Sequence, residues 1–192
     1  LPLRLDNPAK VTNTLLLFGP DGTQRARYDK LHLFSYRDGA RDIDEGRTMQ
    51  AGAEVVSVAT ELGCIGLSIC YDLRFPELYR AMPGVDLILA PSAFTETTGR
   101  AHWELLLRAR AVENQCYVLA AAQGGTHENG RRTWGHSMLV DPWGEVVACL
   151  PRGEGVLLGE LSAERLAQVR RELPALRHRR IAASTTVRGA GA

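Results

Sequence analysis

The 192-residue chain is 45% hydrophobic and 23% charged, with a formal net charge of +1. This is the profile of a globular protein large enough to bury about 70% of its unfolded surface. A charge so near zero gives no electrostatic case for nucleic acid or acidic membranes, and no apolar run reaches the roughly eighteen residues that span a bilayer. Of Cys64, Cys70, Cys116 and Cys149, three lie inside apolar runs, so they read as reduced thiols of a cytoplasmic protein rather than as a disulfide framework, and without a C-x-x-C pair they do not suggest a structural zinc site.

Val11–Phe18 is a β-rich run, Gly19-Pro20-Asp21-Gly22 a turn and Thr23–Tyr28 a returning strand, so a hairpin leads into Lys30. Ser35–Ala53 has little periodicity and many charges, and is expected to be a long functional loop. Glu54–Thr60 and Cys64–Cys70 make a strand pair around Glu61–Gly63. Pro76 suits the first turn of a helix, and Phe75, Leu78 and Tyr79 recur at helical spacing. Val85–Ala90 is a further strand and runs into Pro91-Ser92-Ala93-Phe94.

The spacing then predicts a helix over Ala101–Gln115, capped by Thr97 or Thr98 and carrying Leu105, Ala109, Ala111 and Val112. Cys116–Ala122 returns as a strand, and a loop with Gly124, Gly125 and Gly130 leads to strands Ser137–Val140 and Glu145–Leu150. Gly155–Leu161 reads as the last strand. Ser162 caps a final helix through Leu173, with Glu164 in its first turn and Arg170 and Arg171 near its end, matching the macrodipole. The alternation argues for a single α/β domain with a mixed sheet covered by helices.

Most free cysteines are small buried apolar residues. Cys70 differs in place: it ends an apolar strand just before a helix, where backbone N–H groups can stabilise a thiolate or an oxyanion. Hydrolysis of an amide by a thiol needs that nucleophile, a general base, and a cation or N–H pair for the oxyanion. The N–H of Tyr71 lies beside Cys70, and Lys30 is the candidate cation in a chain with very few lysines against many arginines. A serine elbow is disfavoured because Ser68 lies mid-strand and position 70 is Cys. A cysteine–histidine pair stays open, with His32, His102, His127, His136 and His178 as partners. The histidines lack zincin spacing.

Five segments then carry a resemblance: Tyr28-Asp-Lys30-Leu-His-Leu-Phe34, Ile69-Cys70-Tyr-Asp-Leu-Arg-Phe-Pro-Glu77, Pro91-Ser-Ala-Phe94, His102 to Gln115, and Gly135 to Gly144. In this order, from about Lys10 to Arg180, the chain resembles the nitrilase superfamily of carbon–nitrogen hydrolases. Within it, the tail from Arg170 to Arg180 makes it most similar to the deaminated-glutathione amidase branch. The resemblance implies a four-layer αββα sandwich and a homodimer through its outer helices. It also implies a Glu–Lys–Cys triad acting on a small-molecule amide, with no cofactor or metal. Cys70 matches the nucleophile, and Lys30 with Tyr71 N–H the oxyanion stabilisers. Glu45 matches a second glutamate that positions substrate and lysine, and Phe94 lies near the pocket. Arg74, Glu77, Glu104, Arg108 and Glu113 read as structural ion pairs and helix contacts, and the Arg131-Arg132 pair as solvated surface or local ion pairs.

The family's general-base glutamate lies well before the lysine, yet none of the twenty-nine residues ahead of Lys30 is Glu, and Asp6 is the only carboxylate before the first turn. The chain also begins at Leu1 without Met. The expectation is therefore an N-terminally incomplete domain, inactive alone, with residues 181–192 as a tail. The function expected of the complete protein is hydrolysis of a small amide such as deaminated glutathione. The alternatives are an ω-amidase for 2-oxo acid amides and a truncated, non-catalytic dimerising chain.

Overall fold

The computed structural model describes residues 2–4, 10–37, 39 and 42–181. Asp6 and the tail beyond residue 181 lie outside the described residues. The opening hairpin is β2 (Val11–Phe18) against β3 (Gln24–Asp29), with the short β1 (Pro2–Arg4) on the other side of β2. The described residues of the 35–53 stretch hold more secondary structure than their composition suggests. They form an antiparallel pair, β4 (Ser35–Arg37) and β5 (Asp42–Asp44), followed by a 3-10 turn at Glu45–Arg47. Asp44 supplies the reason for the turn: its carboxylate accepts the N–H of Gly46 and caps it.

The central sheet contains β6 (Ser57–Thr60), β7 (Gly63–Leu67), β8 (Leu87–Leu89), β9 (Tyr117–Ala120), β12 (Ser137–Val140) and β13 (Val146–Leu150). Its spatial order is β13-β12-β9-β8-β7-β6, parallel only across β7, β8 and β9. Helix α1 (Pro76–Arg80) joins β7 to β8, and α2 (Glu96–Asn114) joins β8 to β9. Crossovers of this kind are what parallel neighbours require. Gly66 in β7 faces Met82 and Val85, and a Cβ there would collide with the Met82 sulfur.

Helix α2 begins a turn earlier than its spacing predicts. Thr95 is its cap, accepting the N–H of Thr98, because Thr95 is also bridged to Thr133 and so held outside the helix. Its buried face is Trp103, Leu107, Arg110, Ala111 and Asn114, whereas Leu105 and Val112 point outward. The Gly-rich loop after β9 also folds, into the hairpin β10 (Gly124–Thr126) and β11 (Arg132–Trp134). Gly99 lets α2 approach it, since any Cβ there would strike Trp134. The expected strand Gly155–Leu161 does not form. Its alternation is strand-like, with Val156 and Leu158 exposed and Leu157 against the core, but no strand among the described residues pairs with it. Helix α3 (Ala163–Glu172) follows, capped by Ser162 as expected.

The described residues thus stack as helices over the central sheet, with the β1–β3 sheet contributing to the same core. Leu15, Ala26 and Tyr28 share one face of that small sheet and pack in one cluster with Ile65, Leu67, Ile88 and Leu107. This mixed α/β layering fits the expected fold.

Candidate active site

The ends of β7 and β8 and the strand β2 enclose a cavity of about 870 Å³, within the usual range of small-molecule sites. Cys70, Lys30, Glu45, Tyr71 and Phe94 all line it. Residues brought from four separate parts of the chain therefore meet in one place.

Cys70 begins a 3-10 turn, Cys70–Arg74, separated by two residues from the end of β7, which stops at Leu67 rather than running to Cys70. Its φ of 52° is left-handed, a conformation that costs a β-carbon-bearing residue of order 1–3 kcal/mol. The turn is held by Cys70 N–H donating to Pro91 O at 3.0 Å. Tyr71 N–H lies in its first turn, where backbone donors lack an intrahelical partner. Burial pushes the Cys70 thiol up. Against this act the charge of Lys30, the backbone N–H of Ala93 and the charge of Arg131, while Glu45 reinforces the rise. Desolvation is the largest effect, so the resting thiol is protonated, and a nucleophilic role would require a base.

Lys30 is 1% exposed, which removes it from the ordinary surface lysines. Its backbone is fixed between Asn13 and Gly52: Lys30 N–H donates to Asn13 O at 2.8 Å, and Gly52 N–H donates to Lys30 O at 2.9 Å. Its Nζ lies 2.6 Å from Glu45 Oε2. The same carboxylate oxygen accepts Phe34 N–H at 2.8 Å, and Glu45 N–H donates to Phe34 O at 2.9 Å. Glu45 is thus clasped to the segment that follows Lys30, and one carboxylate orients the ammonium.

A second carboxylate ties the two halves together. Asp72 is fully buried and accepts from Ile69 N (2.8 Å), Tyr28 Oη (2.7 Å) and His32 N (3.1 Å), with His32 Nδ1 at 2.8 Å. Tyr28 and His32 flank Lys30, and Ile69 precedes Cys70, so Asp72 sets the lysine strand against the cysteine turn. His32 also stacks on Phe75 at 3.7 Å between centroids. With its Nδ1 turned to Asp72, His32 is engaged in this clamp. His102 sits beside Arg74, His127 beside Thr133 and His136 over Trp134.

Sequence reasoning missed three residues here. Arg74 makes the expected helix contact, with Nη1 3.3 Å from His102 Nδ1 on α2, but it has no ion pair among the described residues and also lines the cavity, with its guanidinium over the rings of Tyr71 and Phe94. Arg131 lines it too. Asp72 is the clamp. Its signal was its place two residues after Cys70, while neither arginine had one, since each depends on a turn the sequence does not specify. Of the other residues assigned to structural contacts, Arg108 bonds Gly144 O and Glu104, and Glu113 pairs with Arg110, while Glu77 is exposed. Among the described residues no cluster of metal-ligating side chains occurs, and no helix is long and apolar enough to cross a membrane.

Residues 2–171 match the Carbon-nitrogen hydrolase family. The chain belongs to the carbon-nitrogen hydrolase family. It is 43% identical over 187 residues to a deaminated glutathione amidase of Yersinia enterocolitica, covering 95% of this chain and 65% of that one. To the human deaminated glutathione amidase it is 46% identical over 175 residues, covering 89% and 54%. The crystal structure of the Caenorhabditis elegans NitFhit protein superposes with a TM-score of 0.86 at 46% identity, covering 93% of this chain and 44% of that one. The resemblance to the deaminated-glutathione amidase branch of the nitrilase superfamily therefore holds. This carbon-nitrogen hydrolase chain spans less than two thirds of the length of these relatives.

Proposed function

We propose that the complete protein hydrolyses the C–N bond of a small linear amide through a thioester on Cys70, and that deaminated glutathione is the substrate. The observation that carries this is the convergence of Cys70, Lys30 and Glu45 on one cavity, with Lys30 buried and oriented at 2.6 Å by Glu45. The substrate follows the names of the relatives.

In the first half-reaction Cys70 Sγ bonds to the amide carbon and the carbonyl oxygen becomes an oxyanion. The Lys30 ammonium and Tyr71 N–H stabilise it. The C–N bond then breaks, and the departing amine takes the proton that the thiol gave up. In the second half water attacks the thioester, the acid leaves and the thiol is restored. The family resemblance gives the proton relay to a glutamate ahead of Lys30. Residues 1–29 hold no Glu, and Glu45 is the glutamate that lines the cavity of the described residues. Glu45 is assigned to holding Lys30.

A homodimer is part of this reading, supported by the exposed Leu105 and Val112 on α2 and by exposed Trp143. A cytoplasmic location is supported by four free cysteines. The test of function is release of cysteinylglycine from deaminated glutathione, and of ammonia from 2-oxoglutaramate, by the complete natural protein. Turnover of the first abolished by Cys70→Ala is expected. Turnover of the second alone makes the protein an ω-amidase, and no turnover of either contradicts the proposal.

A further inference from the structure

The adjacent arginines of the β10–β11 hairpin are used in opposite ways. Arg132 reaches outward to Glu96 on α2, with Nε 2.9 Å from Oε2 and Nη2 3.0 Å from Oε1. Arg131 lines the cavity and, among the described residues, has no carboxylate partner. Its Nη2 donates to a neutral acceptor, Ala93 O, at 2.8 Å. A guanidinium carries five N–H donors in a fixed fork, so this bond anchors the group and leaves most of its capacity unspent.

The turn that carries Arg131 is braced. Arg131 O accepts His127 N–H at 2.8 Å, Arg131 N–H donates to Asn129 Oδ1 at 3.0 Å, and His127 Nε2 lies 2.7 Å from Thr133 Oγ1. Of the charged side chains that line the cavity, Lys30 and Glu45 pair with each other. Arg74 and Arg131 remain, and both are cations. A cavity with two guanidinium groups on different elements, and no carboxylate for either, is matched to a substrate with two anionic ends.

We propose that Arg131 is the specificity-determining receptor for a carboxylate on the leaving group, the residue that favours an amide of a carboxylate-bearing amine over a primary amide. The inference rests on the amidase reading above and narrows it. Arg74 is half-buried and belongs to the same turn as Cys70, whereas Arg131 is exposed at the rim. In a thioester mechanism the acyl part stays on the sulfur while the amine departs first, so the amine part lies toward the way out. An amide that releases only ammonia offers Arg131 nothing to hold. Deaminated glutathione, a 2-oxo acid amide-linked to cysteinylglycine, offers the glycine carboxylate.

The test compares three compounds with the complete natural protein: deaminated glutathione, the same molecule with its glycine carboxylate converted to a carboxamide, and 2-oxoglutaramate. Arg131→Gln should raise KM for deaminated glutathione roughly 10–100-fold, the range for losing a charge-assisted hydrogen bond, with kcat within about twofold. It should change KM for the other two compounds by less than about threefold. An equal loss on all three would make Arg131 a brace for Ala93 and overturn the inference. So would a parent protein that hydrolyses the carboxamide as well as the acid. Failure of the parent to hydrolyse any of the three overturns the amidase reading itself.

Discussion

Lys30 Nζ and Glu45 Oε2 are 2.6 Å apart, and the lysine is 1% exposed while the glutamate keeps 22% of its side-chain surface. The pair is therefore asymmetric: the cation is sealed in and the carboxylate reaches it from the cavity side. Removing either partner leaves the other without its counter-charge, and a buried ion that loses its partner is costly.

Lys30→Met should lower kcat by roughly 10²–10³, the range for one oxyanion donor, and also destabilise the fold through the stranded Glu45 carboxylate. The double change Lys30→Met with Glu45→Gln removes both charges. It should recover melting temperature relative to the single change without recovering turnover. Thermal unfolding and kcat measured on the same three proteins check this. Equal melting temperatures for single and double variants would show that the pair is not energetically coupled.

Glu45→Gln alone separates reactivity from catalysis. Burial and the Glu45 charge raise the Cys70 thiol, whereas Lys30 lowers it. A thiol with a raised pKa is protonated below that value, so alkylation by iodoacetamide should climb with pH to a midpoint above that of a free cysteine. Glu45→Gln should shift the midpoint down and speed alkylation at neutral pH, while turnover falls roughly 10²-fold because the lysine loses its orientation. Lys30→Met should shift the midpoint the other way. A midpoint indifferent to both changes would contradict the electrostatic account.

Asp72 should behave as a stability residue that also carries activity. Asp72→Asn keeps the shape but turns part of an all-acceptor group into a donor facing Ile69 N–H, Tyr28 Oη and His32 N–H. The loss is about 2–4 kcal/mol, or roughly 5–15 °C in Tm for a chain of this size. Tyr28→Phe removes one of these bonds and should cost about 1 kcal/mol. Calorimetric unfolding decides it. An unchanged Tm for Asp72→Asn would remove Asp72 from its clamping role.

The hairpin Val11–Phe18/Gln24–Asp29, the β7–β9 strands and the capped α3 were legible because period, turn residues and caps are local signals. The placement of Cys70 at a strand end was legible for the same reason. Non-local features were not. The burial of Lys30 depends on Asn13, Glu45 and Gly52, which are remote or simply uninformative in sequence. Arg74 reads as a structural contact and Arg131 as a surface charge until their turns place them on the cavity. Gly155–Leu161 has strand alternation, but a strand exists only with a neighbour, and pairing is not written in one segment. The buried face of α2 was not legible either: Leu107 is buried whereas Leu105 and Val112 are exposed, because the sheet and the hairpin that α2 meets choose its face.

Packing of that helix gives a further expectation. Leu107 is fully buried against the central sheet, so Leu107→Ala should cost about 2–5 kcal/mol. Leu105→Ala, at 67% exposure, should leave the monomer's stability within about 0.5 kcal/mol. Denaturant titration of both variants checks the assignment, and a reversed order would mean that α2 presents its other face to the sheet.

The claim that a thioester forms on Cys70 is tested most directly by trapping it. The complete natural protein is mixed with deaminated glutathione, quenched in acid within the first turnover, digested, and the cysteine-containing peptides are weighed by mass spectrometry. The account predicts the 2-oxoglutaryl group on the peptide containing Cys70, absent from those of Cys64, Cys116 and Cys149, and no adduct or turnover in Cys70→Ala. An acyl group on another cysteine, or full turnover by Cys70→Ala, would contradict it.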